Sequence, residues 1–482
     1  MLYNSIYFVI CIVTISKQVI SSSREDVLLA DYERKLRKIY LFNKIISKHQ
    51  KSKWFVQEQF PALESFNIVF NNTRPAIQNP DNERLESTLL KAFKGESVKI
   101  VVYGGSNTAA GLFPILLQQW WDENITPVSG SVLKVKNLSI GGTSSTYFQF
   151  CYDIYLDANE VVDLFILELS VNDAVGNLQN SSIPRNLPLE QFTRQLLNRP
   201  NRPGVFFVNL YTLIGEPAQC MNLMDFDQDL IIDHYNTTAI NLRNLACSFK
   251  LGKYFATVKT YDLKDASGTM HLNPKGHAQT AFMIVQVFMR ILKKLIHNVK
   301  ILKKSVQSYI TPFTSVGTLS NAITTPQCWA SLTPNYNSEL RSTLQLKNVK
   351  SNGFVYIQGI RIKTSSYSSK EERKDAYGGL SAREKGSEVT ILFTVVAGHP
   401  HILRSVGVIS RFSTSGGEVD VWLDNDYSKR TNIKLHVNAE QTAVRIIGTQ
   451  VTPGNHTLTM HVVKKGIAVL VGAVVGPPDG PW

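Results

Sequence analysis

The chain has 482 residues, of which 43% are hydrophobic and 18% charged, and its formal net charge at pH 7 is +13. This composition is typical of a globular protein and excludes a largely disordered chain. The length predicts two folded units and an N-terminal extension. The positive charge indicates either a basic, solvated surface or acidic partners, such as polyanionic glycans or an anionic membrane surface. No nucleic acid is expected, because no zinc-finger spacing, phosphate-binding loop or RNA-binding motif accompanies the charge.

A short apolar segment, Ser5–Ser16, opens the chain, and small residues follow it at Ser21, Ser22 and Ser23. The segment is too short to cross a bilayer comfortably, so we interpret residues 1–23 as a signal peptide. A signal anchor is the alternative, because no Lys or Arg precedes the segment. We therefore expect a secreted, extracellular protein, or one in the lumen of the secretory pathway, without a transmembrane span.

The cysteines and the potential N-glycosylation motifs agree with passage through the secretory pathway. Cleavage removes Cys11 and leaves four cysteines, which permit two disulfides with three possible pairings. We favour Cys220–Cys247, the pair closest in sequence. Six Asn-x-Ser/Thr sequons occur, at Asn71, Asn124, Asn137, Asn180, Asn236 and Asn455.

Residues 24–97 are predicted to be a helical N-terminal extension. Leucine and tyrosine recur at near-helical spacing among charged residues over 24–60, which predicts a packing arm or lid. A polar, Asn- and Pro-containing loop follows it.

Residues 98–305 alternate buried-strand patterns with helical ones. Strands are predicted at Val98–Tyr103, Val132–Leu138, Val162–Leu169, Gly204–Leu210 and Phe255–Tyr261, and helices at Leu112–Trp121 and Ala278–Lys304. This alternation predicts an α/β domain with a mostly parallel sheet. The last helix ends in a basic, amphipathic stretch, which indicates a solvated basic face or a peripheral contact with a membrane surface.

The composition changes again after residue 305. Thr, Ser, Pro and Asn are frequent over 306–337, which predicts a linker. Short alternating runs separated by turn residues fill 338–482 and predict a β-sandwich of the jelly-roll kind. The predicted strands are Phe354–Ile362, Glu388–Val396, Gly417–Leu423, Asn432–Val437, Ala443–Ile447, His456–Val463 and Ile467–Val475.

Two motifs carry a nucleophile and a base. Gly104-Gly105-Ser106 follows the first strand, where glycines permit the tight turn that exposes a hydroxyl. His271 lies before the last helix, from where a loop histidine can take a serine proton. Taken alone, the first motif is equally typical of an ordinary strand-to-helix turn, and a lone histidine is more often a surface or capping residue.

Two further motifs follow the second and third strands, at the sheet edge where α/β proteins bind ligands. Gly141-Gly142 can bring a backbone N–H to a substrate oxygen, and the side chain of Asn172 can donate another hydrogen bond. A glycine turn and an Asn-Asp cap are the alternatives. Asn137 belongs to the first of these motifs, and we expect it to carry no glycan because a glycan would crowd the site.

The four motifs, GGSNTAAG, NLSIGGTSS, LELSVNDA and MHLNPKGH, resemble in type and order the blocks of SGNH/GDSL hydrolases over residues 98 to about 290. The resemblance implies a flavodoxin-like, three-layer α/β/α fold and a serine esterase without metal or cofactor. It implies Ser106 as nucleophile and His271 as base. It also implies an oxyanion hole formed by the N–H groups of Ser106 and Gly142 and the side chain of Asn172, with His277 as a packing residue.

The chain departs from the family pattern at three positions. Gly105 replaces the Asp of Gly-Asp-Ser, Ser170 replaces a glycine, and Gly268 stands where an acid is expected three residues before the histidine. We favour Asp265 as the third catalytic residue. The alternatives are Asp262 and a Ser–His dyad oriented by a backbone carbonyl.

The leading hypothesis is an esterase that hydrolyses carboxylic O-acyl esters, with acylated glycans as substrates inferred from the secreted, basic context. One alternative is an inactive glycan-binding or adhesion protein, supported by the missing acid and the altered Gly-Asp-Ser. The other is an O-acyltransferase that uses the same acyl-enzyme. The natural ester and the oligomeric state are left open.

Overall fold

The computed structural model describes residues 23–50, 74–109, 112–157, 159–176, 186–210, 223–242, 244, 271–272, 274–297, 326–332, 334, 344, 348–357, 378–397, 403–438 and 440–476. Strands β2–β6 form a parallel sheet in the order β3-β2-β4-β5-β6, and β1 pairs with β6 in antiparallel orientation. The strands are β1 Ile77–Gln78, β2 Val98–Gly104, β3 Leu133–Asn137, β4 Leu164–Glu168, β5 Gly204–Asn209 and β6 Thr238–Asn241.

Side-chain alternation in the central strands explains why helices cover both faces of this sheet. In β4, Leu164 and Ile166 belong to one apolar core, whereas Phe165 and Leu167 belong to another. Strands buried on both faces need a helical layer on each side. The three-layer α/β/α fold is therefore confirmed.

The helices are α1 Ser23–Gln50, α2 Glu83–Lys94, α3 Ser106–Ala109, α4 Leu112–Asn124, α5 Thr126–Ser129, α6 Ser145–Cys151, α7 Ser170–Gly176, α8 Leu187–Leu197, α9 Leu223–His234 and α10 Pro274–His297. Helices α1, α2, α4 and α10 cover one face of the sheet, and α6, α8 and α9 cover the other. Short 3-10 helices occur at Arg74–Ala76, Tyr152–Tyr155 and Tyr427–Lys429. The N-terminal helix contributes Phe42, Ile45 and Ile46 to the first core.

Two elements of this domain differ from the sequence prediction. The sheet strand after β5 is Thr238–Asn241, a four-residue strand too short to give a pattern, whereas the predicted strand Phe255–Tyr261 lies outside the described residues. The last helix begins at Pro274, four residues before the predicted start.

The C-terminal part consists of two antiparallel sheets packed face to face, which confirms the β-sandwich. One sheet has the order β15-β12-β17-β10-β9, with β7 also paired to β17, and the other has the order β14-β13-β16-β11-β8. The strands are β7 Gln327–Ala330, β8 Val349–Asn352, β9 Val355–Ile357, β10 Gly379–Ala382, β11 Glu388–Val395, β12 Arg404–Phe412, β13 Glu418–Leu423, β14 Thr431–Lys434, β15 Gln441–Val451, β16 Gly454–Lys464 and β17 Ala468–Gly476.

Four of these strands, β7, β8, β10 and β12, were not expected from the sequence. β12 is buried along its whole length, yet Arg404, Ser405, Gly407, Ser410 and Arg411 interrupt its apolar pattern. β7 lies within 306–337, the stretch predicted as a linker, and pairs with β17.

The α/β domain and the sandwich, called the β domain below, share an apolar core. Ile409, Val444 and Val471 of the β domain join the cluster that contains Phe148 of α6. A disulfide between Cys151, at the end of α6, and Cys328, in β7, links the two units covalently. The favoured pair, Cys220–Cys247, lies outside the described residues. No helix among the described residues is long and apolar enough to span a membrane.

Candidate active site

Ser106 and His271 are in direct contact. β2 ends at Gly104, and Ser106 is the first residue of the short helix α3. His271 Nε2 lies 2.7 Å from Ser106 Oγ, and both side chains are half-buried. This distance is a hydrogen bond through which the serine proton can move to the imidazole. The structure thus brings together two residues that are 165 positions apart in sequence.

The segment that carries His271 is bound to the nucleophile turn by Asn107. The Leu272 backbone N–H donates to Asn107 Oδ1 at 2.8 Å, and Asn107 is 4% exposed. This bond joins the residue after the serine to the residue after the histidine. The sequence analysis missed Asn107, because an amide after a serine is not distinctive without its partner.

Asn172 lies beside the nucleophile turn, and its position accounts for Gly105. A Cβ atom at Gly105 would be 2.6 Å from Asn172 Oδ1, so an aspartate cannot occupy this position without moving Asn172. Asn172 Nδ2 donates to the Thr143 carbonyl at 3.0 Å. Because an amide group has two N–H bonds, the second is the donor that an oxyanion would use.

Gly142 has a backbone conformation that favours glycine. Its φ is 64°, in the left-handed region, and its backbone carbonyl accepts a hydrogen bond from the Thr442 N–H at 2.7 Å. The oxyanion loop, defined here as Gly141, Gly142 and Thr143, therefore touches the β domain on one side and Asn172 on the other.

Two carboxyl groups are buried below the nucleophile. Glu168 Oε2 accepts a hydrogen bond from the Thr108 hydroxyl at 2.9 Å, and the Glu168 backbone carbonyl accepts from the Gly105 N–H. Burial and the charge of Asp173 raise the pKa of Glu168 to about 8, although the hydrogen bond from Thr108 lowers it in part. Burial also raises the pKa of Asp173 to about 6, although the hydrogen bond that it accepts from the Ser145 N–H lowers this pKa in part. Glu168 was not predicted, although an acid inside an apolar strand is a recognisable signal.

His277 is in a packing position. Its ring stacks on Phe113 with 6.3 Å between ring centroids, and its Nδ1 is buried without a hydrogen-bond partner in the described part of the chain. Burial, with the charge of His271, lowers the pKa of His277 to about 4. His277 is therefore neutral near pH 7, and the histidine that contacts Ser106 is His271.

The candidate acids, Asp265 and Asp262, lie outside the described residues. Within the part of the chain that is described, no three His, Cys, Asp or Glu side chains are grouped so that they could hold a metal ion.

The raised pKa of Glu168 predicts a pH-dependent stability. The folded protein keeps the Glu168 proton up to about pH 8, whereas the unfolded chain loses it near 4.5. Stability therefore falls as the pH rises between these values. The raised pKa of Asp173 likewise makes stability fall with rising pH, below about pH 6. The lowered pKa of His277 has the opposite effect and makes stability rise with pH, below about pH 6.5. Between pH 6.5 and 8 we expect the free energy of unfolding to fall by about 1–2 kcal/mol.

Denaturant unfolding at these two pH values measures this effect. Glu168→Gln keeps an acceptor for Thr108 but cannot ionise, so its unfolding free energy should change less over the interval. Parallel pH dependences for wild type and variant would contradict the assignment to Glu168.

Comparison with known proteins gives matches to structures but not to sequences. No protein-family model matches the chain, and no curated protein sequence matches it. A two-domain esterase active on acetylated mannans matches with a TM-score of 0.57 and 17% identity, over 85% of this chain and 99% of that chain. The same kind of esterase, co-crystallised with mannopentaose, matches with a TM-score of 0.56 and 18% identity, over 86% of this chain and 100% of that chain.

This chain has the fold of a two-domain esterase. The likeness covers both the α/β domain and the β domain, so the order of the two units is shared as well. The α/β/α fold that the four motifs implied, followed by a β-rich domain, is confirmed.

Proposed function

We propose that this protein is a secreted serine esterase that hydrolyses carboxylic O-acyl esters, with O-acetylated glycans as its substrate class. One observation carries the proposal: Ser106 Oγ and His271 Nε2 lie 2.7 Å apart at the carboxyl end of β2, within the two-domain esterase fold. A nucleophile and base in hydrogen-bond contact at that edge of a parallel sheet are the elements of acyl transfer.

In the first half-reaction, His271 Nε2 takes the Ser106 proton while Ser106 Oγ bonds to the ester carbonyl carbon. The carbonyl π pair moves to its oxygen, which becomes an oxyanion. When the pair returns, the bond to the alcohol breaks, and His271 gives its proton to the leaving oxygen. Water, deprotonated by His271, then attacks the acyl-serine and releases the acid and free Ser106.

The oxyanion receives its hydrogen bonds from the N–H groups of Ser106 and Gly142 and from Asn172 Nδ2. The position of Asn172 beside Gly105 and its bond to Thr143 support this role, because both place its amide next to the serine turn. Asp265 is our proposed acid behind His271, with Asp262 or a backbone carbonyl as the alternatives.

The substrate class follows from context. Both structural matches are described as active on acetylated mannans, and they share the two-domain order with this chain. A net charge of +13 favours contact with acidic extracellular polysaccharides, some of which carry O-acyl groups. We therefore place acetyl esters on polysaccharide hydroxyls ahead of lipid esters.

Release of acetate from acetylated mannan, acetylated xylan and p-nitrophenyl acetate tests the proposal. We expect turnover of at least one acetylated polysaccharide, and fluorophosphonate labelling of Ser106 in the folded protein. Failure of both would support the inactive, glycan-binding alternative. Recovery of the acetyl group on an added sugar acceptor, instead of as acetate, would identify an acyltransferase.

Asn137 is expected to carry no glycan even when the protein passes through the secretory pathway. Its Nδ2, the atom that a glycan modifies, donates to the Thr108 carbonyl at 2.8 Å, whereas Asn236 and Asn455 are exposed. Peptide mapping of protein secreted from eukaryotic cells should find Asn236 and Asn455 modified and Asn137 unmodified. A glycan at Asn137 would show that the site is reached before β3 and α3 pack.

A further inference from the structure

Three consecutive backbone carbonyls of the oxyanion loop are held by hydrogen bonds. The Gly141 carbonyl accepts from Arg411 Nη1 at 3.2 Å. The Gly142 carbonyl accepts from the Thr442 N–H at 2.7 Å, and the Thr143 carbonyl accepts from Asn172 Nδ2 at 3.0 Å. Two of the three donors, Arg411 and Thr442, belong to the β domain.

The bond from Arg411 acts on the peptide group that supplies the oxyanion donor. The Gly141 carbonyl and the Gly142 N–H belong to one planar, trans peptide unit, in which they point in opposite directions. A donor that fixes the carbonyl therefore also fixes the direction of the N–H. A hydrogen bond to the carbonyl from a cation also polarises the peptide group and strengthens its N–H as a donor.

Arg411 is itself held firmly. Its side chain is 8% exposed, its Nη1 also donates to Thr442 Oγ1 at 3.0 Å, and its Nη2 lies 3.6 Å from a Glu440 carboxylate oxygen. A Cβ at Gly142 would be 2.8 Å from Arg411 Nη1, so the loop and the guanidinium are packed without space between them. Arg411 and Thr442 are paired neighbours on β12 and β15, so the strand pairing holds the two donors in a fixed position relative to each other.

We propose that Arg411 is a positioning residue for the oxyanion hole, so that the β domain completes the catalytic site of the α/β domain. The inference rests on the proposed function, because it assigns a role in ester hydrolysis. Arg411 orients the peptide unit between Gly141 and Gly142 and does not touch the substrate.

Arg411→Met is the direct test, with Arg404→Met as the matched control. Arg404 lies at the other end of β12, is 2% exposed, and donates to the Gly476 and Val396 carbonyls, away from the oxyanion loop. With p-nitrophenyl acetate, we expect Arg411→Met to lower kcat by about 10- to 100-fold and to change KM by less than about twofold, because the loss concerns the transition state. We expect Arg404→Met to retain kcat within about twofold.

Inhibition by phenylboronic acid gives a second readout, because its tetrahedral serine adduct places an oxygen in the oxyanion hole. Arg411→Met should weaken this inhibition by about the same factor as it lowers kcat. Arg411→Lys keeps the charge but lacks the planar fork, and we expect an intermediate loss of about 3- to 10-fold. It serves as the test if Arg411→Met does not fold.

Three results would overturn the inference. These are an unchanged kcat in folded Arg411→Met, an unchanged kcat in Arg411→Lys where the Met variant is unfolded, and an equal loss of kcat in Arg404→Met. An inactive wild-type protein would overturn the proposed function and the inference together. An active wild type with a fully active Arg411 variant overturns this inference alone.

Discussion

Ser106→Ala is expected to reduce kcat for ester hydrolysis by at least about 1000-fold while leaving the fold intact. In the proposed mechanism Ser106 Oγ forms the acyl bond, and alanine has no oxygen to take its place in the contact with His271 Nε2. The side chain is half-buried at the start of α3, so the loss of one oxygen removes few packing contacts. Acetate release and circular dichroism measured on the same preparation check both parts.

Ser139→Ala is the matched control for this variant. Ser139 also follows a strand of the sheet and is fully buried, and its hydroxyl donates to the Val102 carbonyl at 3.5 Å. We expect it to retain activity within about threefold and to retain fluorophosphonate labelling. Labelling of Ser106→Ala at another serine, with activity preserved, would show that the nucleophile has been misassigned.

His271→Ala is expected to cause a loss of similar size, again about 1000-fold or more in kcat, because it removes the base that lies at hydrogen-bond distance from Ser106. The two residues act as a unit. Ser106→Ala combined with His271→Ala should therefore be no less active than Ser106→Ala alone. Steady-state kinetics of the two single variants and the double variant measure this non-additivity.

His277→Phe separates the two histidines. Phenylalanine preserves the stacking on Phe113 but has no ring nitrogen, so we expect a change in Tm and a kcat within about threefold of wild type. Loss of activity in His277→Phe, together with an active His271→Ala, would exchange the assigned roles. Both histidines belong to one short motif, and this pair of variants tests by activity the distinction that the contact with Ser106 makes.

The sequence could predict the parts of the site that carry local patterns. Gly105 and Ser106 follow a strand that is buried on both faces, and such strands can be recognised without knowledge of their neighbours. The same holds for Asn172, which follows the apolar strand β4 closely. Strand ends and turn residues are local information, and the α/β fold follows from their alternation.

Residues that act across the fold could not be predicted in this way. Arg411 and Gly141 are 270 positions apart, and an arginine in an alternating strand is typical of a solvent-facing position. Asn107 is bonded to Leu272 across 165 positions and leaves no local trace either. β12 was missed for a related reason, because its arginines and serines are buried through contacts that only the folded chain provides.

The long-range disulfide is a further contact that only the folded chain makes visible. Of the three possible pairings of the four cysteines, only the one that contains the favoured Cys220–Cys247 also contains Cys151–Cys328, which the structure shows across 177 residues. The Cys220–Cys247 bond itself stays a prediction, because both residues lie outside the described part of the chain. Loop-closure entropy grows only slowly with length, so sequence separation is a weak criterion against a bond that packing brings together.

This disulfide also constrains how the protein can be made. Cys151 leaves the ribosome 177 residues before Cys328, an interval of roughly 10 to 35 s at about 5–20 residues per second. Cys220 and Cys247 emerge within that interval and can react with Cys151 first. Native oxidation must therefore wait for β7 or be corrected by thiol–disulfide exchange, so that the yield of native protein depends on the timing of oxidation as well as on the stability of the fold.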